Sequence, residues 1–186
     1  MLAYIFWHLP AAGVDASAYE AALTAFQAEL AKAPPPGFKS CGSFRIGQVP
    51  WLDGCSGYED WCFVGSSADL DPLNEAAVDA HRRGRHDAVA SRTDIGHGGL
   101  YRHFHGEEQP RTGARIIWLR RPRGIAFEPV LRGMIDGATG FLSCWRRQMA
   151  LGQAEEFCVI GSEHLDLPLA AGWWGLTVTR TPVAPA

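Results

Sequence analysis

Apolar residues recur along the chain in two rhythms, one of period two and one of period 3.6. Ala3 to His8 is a short apolar run rich in aromatic residues and predicts a strand. Ser17-Ala18-Tyr19-Glu20 has the form of a capping box. It predicts a helix with Tyr19, Leu23, Phe26 and Leu30 at helical spacing, stopped by Pro34-Pro35-Pro36-Gly37. Strands follow over Phe38 to Ile46 and Tyr58 to Val64, with a turn-rich loop, Pro50 to Gly57, between them. Asp71-Pro72 starts a second helix that weakens at Gly84 and resumes towards Arg92. Leu100 to His105 is the next strand, so this half reads β-α-β-β-α-β. After the polar stretch Gly106 to Gly113, strands are predicted at Ile116 to Arg120, Phe141 to Gln148, Glu156 to Ile160 and Leu176 to Arg180. The one helical face there is Phe127, Val130, Leu131, Met134 and Ile135.

The two halves resemble each other. Gly37-Phe38-Lys39-Ser40-Cys41 recurs as Gly140-Phe141-Leu142-Ser143-Cys144, and Glu59 to Ser66 recurs as Glu155 to Ser162. Ile5-Phe6-Trp7 matches Ile116-Ile117-Trp118, and Gly99-Leu100 matches Gly175-Leu176. The order is the same in both halves and the separation shrinks steadily along the chain. This predicts a tandem duplication, with repeats over 1–106 and 114–186, in which the second copy has lost most of its second helix.

Composition narrows the class. At 186 residues and 47% hydrophobic, the chain can bury one compact core, and disorder is excluded. A net charge of −3 gives no field that favours nucleic acid. No apolar run approaches the ~18 residues that span a bilayer. Five cysteines, an odd number without a C-x-x-C pair, point away from a disulfide framework or zinc ribbon and towards buried thiols in a reduced cytoplasmic protein.

With that element order, the chain resembles the dimeric α+β barrel superfamily, in which two ferredoxin-like units pack sheet against sheet. The resemblance implies an α+β fold whose tandem ferredoxin-like repeats close the barrel within one chain, and it leaves room for a homodimer. The superfamily includes antibiotic-type monooxygenases that use no cofactor, EthD-like proteins, stress-responsive barrels and haem-binding relatives. The implied function is binding or transformation of a small, partly aromatic molecule in a cleft, without cofactor. The alternative is a non-catalytic ligand-binding or stress-type interaction protein.

Strand ends supply the candidate chemistry. His8 and Asp60 are candidate proton-abstracting groups, with a structural histidine and a structural carboxylate as the plain alternatives. Trp7, Tyr58, Trp61 and Tyr101 are candidate ligand walls in the first half, with Trp118, Arg120 and Trp145 opposing them. Arg120 or His103 would steady a developing oxyanion. Tyr101, His103 and His105 share a face by the period of two. The histidines lack a dependable three-ligand spacing, so no metal is expected, and His103 with His105 would be the first suspects. His81, Arg82, Arg83, Arg85 and His86 read as a solvated basic face. Gly96-His97-Gly98-Gly99 resembles an oxyanion loop only superficially, because no nucleophile elbow accompanies it.

Overall fold

The computed structural model describes residues 1–109, 113–150 and 155–183. Eight strands form a closed antiparallel barrel with helices against its outer face. In chain order the elements are β1 (Leu2–Pro10), α1 (Ala16–Lys32), β2 (Phe38–Ile46), β3 (Gly57–Val64), α2 (Leu70–Ala77), α3 (Arg83–Ala90) and β4 (Thr93–Gly106). Then come β5 (Arg115–Arg120), α4 (Phe127–Asp136), β6 (Thr139–Ala150), β7 (Phe157–Asp166) and β8 (Trp174–Pro182). Around the barrel the order is β1-β3-β2-β8-β5-β7-β6-β4. The first strand of each half is central, β1 between β3 and β4 and β5 between β7 and β8.

Closure buries both faces of the sheet. Along β1 the alternation sends Ala3, Ile5 and Trp7 into the barrel, while Leu2, Tyr4, Phe6 and His8 face the helix layer. The interior is filled by aromatic rings at close centroid distances: Trp7 to Trp118 at 5.4 Å, Trp51 to Trp118 at 5.3 Å and Trp61 to Trp145 at 6.1 Å. Trp51 and Leu52 come from a single 3₁₀ turn in the loop before β3, so that loop plugs the interior. Outside the second half, Leu131, Met134 and Ile135 of α4 pack on Ile117, Cys144, Phe157 and Val159.

Several local expectations are corrected. The cap of α1 is Asp15, whose carboxylate accepts from the Ala18 amide at 2.9 Å, while the Ser17 hydroxyl donates to Asp15. Glu20 cannot complete a box because it is bound to Arg45 and Tyr58. Arg82 is nearly buried rather than part of a solvated face. It donates to the Ala33 carbonyl at 2.6 Å and pairs with Asp79, tying the α2–α3 turn to the end of α1. Cys41 and Cys62 are not free thiols; they form a disulfide between β2 and β3, where the register sets them directly opposite. Cys55 is exposed, and Cys144 and Cys158 are buried thiols.

The sequence match between the halves holds for β1 and β5, where Ile5 and Ile116, and Trp7 and Trp118, all point inward. It does not hold residue for residue in the next pair. Trp7 pairs with Glu59, whereas Trp118 pairs with Cys158. Hence Trp61 points inward but its sequence match Phe157 points outward. Residues 167–173 link β7 to β8 without a helix.

Candidate functional site

The sheet separates the predicted site residues into two groups, because neighbours along a strand face opposite sides. Trp7, Trp61, Tyr101, Trp118 and Trp145 lie in the barrel interior and make its core. His103 joins them, its ring edge-on to Trp145 at 5.1 Å. Arg120 is exposed at the barrel rim, over the Trp174 ring and 3.8 Å from Glu155. None of these reaches the side of the sheet that carries His8 and Asp60. The expected shared face of His103 and His105 is broken by an irregularity in the β4–β6 register between them. His105 pairs with Cys144, on the outer face, and stacks on Phe141. Among the described residues, no three His, Cys, Asp or Glu side chains are grouped to hold a metal ion.

His8 and Asp60 do come together, between the sheet and the layer α1–α3. A cavity of about 660 Å³ lies there. Its floor is Tyr4 and Phe6 of β1, Cys41 of β2 and Asp60 and Cys62 of β3, and its roof includes Leu23, Phe26 and Leu73. Apolar walls with a few convergent polar groups suit a small organic ligand. The floor has room because β4 crosses it with glycine: a Cβ at Gly96 would meet the Phe6 ring at 2.5 Å, and one at Gly98 the Tyr4 hydroxyl at 3.0 Å. The glycine run set aside in the sequence thus accommodates the two aromatic side chains of β1.

Asp60 is partly exposed to this cavity and His8 is buried behind it. His8 Nε2 lies 3.3 Å from Asp60 Oδ2, without the alignment of a hydrogen bond. On its other side His8 Nδ1 is 2.6 Å from the Tyr19 hydroxyl, which is 2.7 Å from Thr93 Oγ1, and Thr93 donates to the Val89 carbonyl at 3.1 Å. The chain of hydroxyls has one direction. Thr93 spends its proton on a carbonyl, so Tyr19 donates to Thr93 and His8 Nδ1–H donates to Tyr19. A neutral His8 therefore presents its Nε2 lone pair to Asp60, and a carboxylate facing a lone pair has room for one more proton.

The surroundings keep their phenols protonated. Burial pushes Tyr19 up to about 12, and burial does the same to Tyr58. Tyr4, at the cavity, is raised by burial and then by the charge of Asp60. Tyr58 does not line the cavity; it stacks on His8 at 5.6 Å and donates to Glu20 at 3.0 Å. Ser43, opposite Asp60 in the register, donates to its Oδ1 and accepts from Gln27. Sequence reading missed Tyr4, Phe6, Tyr19, Gln27, Ser43 and Thr93. The alternation of β1 could have paired Tyr4 and Phe6 with His8, but nothing local ties Thr93 to Tyr19 across the fold.

No protein-family model and no curated protein matches this chain. Among solved structures, one described as an anthrone oxidase-like protein matches 99% of this chain and 94% of its own at 11% identity, with a TM-score of 0.53. At that identity the likeness concerns the fold. Among the described residues, no helix is long and apolar enough to cross a membrane.

Proposed function

We propose that the cavity binds a small, partly aromatic carbon acid and oxidises it without a cofactor, with dioxygen as the oxidant. The observation that carries the reading is the partly exposed Asp60 carboxylate, backed by His8 Nε2 at 3.3 Å, on the floor of a largely apolar cavity. Asp60 takes a proton from a ring-flanked CH₂, and the proton comes to rest between Asp60 and His8, whose imidazolium the carboxylate stabilises. The carbanion is oxidised by dioxygen to a hydroperoxide, R₂CH–OOH, which loses water to give R₂C=O. In sum R₂CH₂ and O₂ become R₂C=O and H₂O, so no other reductant is needed. Tyr4, held protonated, donates to the oxygen on which charge collects. Phe6 and Phe26 are the ring walls here, in place of Trp7 and Trp61.

Two supports add to this. The anthrone oxidase-like neighbour shares the fold, and an anthrone is a ring-flanked carbon acid of the required kind. The matching strand orders of the two halves support descent from one ferredoxin-like unit, with copies over 1–106 and 114–186, as in the dimeric α+β barrel superfamily.

The test is oxygen uptake and product absorbance with anthrone as probe. Wild type is expected to consume one dioxygen per anthrone. Asp60→Asn is expected to lose roughly a hundredfold or more in kcat, the usual worth of a general base. Its melting temperature should stay within a few degrees, because Asp60 is partly solvated. Equal activity in Asp60→Asn would overturn the assignment. Anthrone binding without oxygen uptake would make the protein a carrier. His8→Ala is a poorer probe, since buried His8 also stacks between Phe6 and Tyr58.

A further inference from the structure

The Cys41–Cys62 disulfide is part of the cavity floor. It is one of two successive cross-strand pairs on that face, the next being Ser43 and Asp60. Such a bond is not needed to join β2 to β3, which are paired from Phe38–Val64 to Ile46–Gly57 on both sides of it. That ladder is made by the backbone and involves no sulfur, so a change in the state of the pair need not break the register. The two cysteines line the same space as Phe6, Phe26, Leu23 and Leu73, whose apolar surface favours an apolar reaction partner over a small hydrophilic one.

We propose that Cys41 and Cys62 form a redox site of the cavity: as a dithiol, the pair reduces an apolar organic hydroperoxide bound there and becomes the disulfide. The thiolate of one cysteine attacks the terminal peroxide oxygen. The O–O bond breaks, the alcohol leaves with a proton, and a sulfenic acid remains. The second thiol attacks that sulfur, the S–S bond forms and water leaves. The net change is ROOH and two thiols to ROH, water and one disulfide, and a small thiol reductant restores the dithiol. The inference rests on the cavity's taste for a ring-bearing molecule in the reading above, and it deepens that reading. A hydroperoxide formed in the cavity ends as ketone beside the disulfide and as alcohol beside the dithiol.

The test runs without dioxygen or carbon acid, so its outcome is independent of the oxygenation. A Cys55→Ser protein, which removes the exposed thiol, is reduced, desalted anaerobically and mixed with cumene hydroperoxide or with hydrogen peroxide. Thiols are counted after denaturation and cumyl alcohol is measured. The expected result is loss of two thiols per alcohol formed. The rate with cumene hydroperoxide should exceed that with hydrogen peroxide by roughly tenfold or more, the preference that burying an apolar ring supplies. Of Cys41→Ser and Cys62→Ser, the variant that lacks the attacking thiol should form no alcohol, and the other should form one alcohol per chain and stop at the sulfenic acid. Unchanged thiols in the reduced parent, alcohol formation that survives in both serine variants, or equal rates with the two peroxides would each overturn the proposal. Failure here with anthrone oxidation intact removes the redox site alone. The reverse result removes the oxygenation alone.

Discussion

Tyr19 joins α1 to the sheet through one hydroxyl, shared between His8 and Thr93. The other three tyrosines, Tyr4, Tyr58 and Tyr101, are likewise raised above the ordinary phenol range, each chiefly by burial. The sign follows from linkage. A phenol whose folded pKa lies above its unfolded value favours the folded state while it is neutral. That stability is complete below pH 10, where an unburied phenol ionises, and is lost as pH rises towards and through about 12 for Tyr19 and Tyr58. Alkaline titration should therefore show little tyrosinate absorbance in native protein at pH values where the protein in denaturant is largely ionised, and the melting temperature should fall across the same interval. Native and denatured titration curves that coincide would contradict the buried network around Tyr19.

Capping shows what an element owes to one side chain. Asp15 satisfies an otherwise free amide at the start of α1, whereas Ser17 contributes only through its bond to Asp15. Asp15→Ala should cost about 1 kcal/mol, and Ser17→Ala distinctly less, in urea unfolding. The opposite ranking would restore the capping box read from the sequence. Strand identities were legible because aromatic and β-branched runs stand out, but their lengths were not. β4 begins at Thr93 because β1 pairs with its polar and glycine-rich start, and β7 runs on to Asp166 because β6 pairs with its polar end. The irregularity in β4 is likewise invisible to a period of two, and it sends His103 and His105 to opposite faces.

Closing the barrel creates a buried charge pair that no single half contains. β2 and β8 pair over Phe44–Pro182, Arg45–Thr181 and Ile46–Arg180. Behind this seam Arg180 of β8 reaches Glu59 of β3 at 3.3 Å, and its guanidinium lies 4.0 Å from the Phe44 ring centroid and donates to the Gly113 carbonyl at 2.6 Å. Both residues are fully enclosed; burial holds Glu59 above the ordinary carboxylate range and Arg180 below its own, each against the attraction of the other. Arg180→Met strands a carboxylate in the core and should destabilise by about 3–5 kcal/mol. Pairing it with Glu59→Leu should recover much of that loss, because an apolar pair needs no compensation. Denaturant midpoints for the two single variants and the double variant give the cycle, and simple additivity would show that the pair is not coupled.

The sequence alone determined where most strands and helices lie, and it displayed His8 and Asp60 as titratable side chains on β1 and β3. These follow from local periodicity and from side-chain type, which a chain displays without folding. Only the tertiary structure decided which face each residue serves. Trp7 and His8 are neighbours in sequence, yet one fills the barrel core and the other backs the cavity, because a closed sheet has an inside and an outside and both are covered. The same holds for Glu59 and Asp60, one locked to Arg180 and the other set beside His8. Cys41 and Cys62 became a pair for a related reason: the β2–β3 register, fixed by hydrogen bonds along both strands, set two distant thiols directly opposite each other.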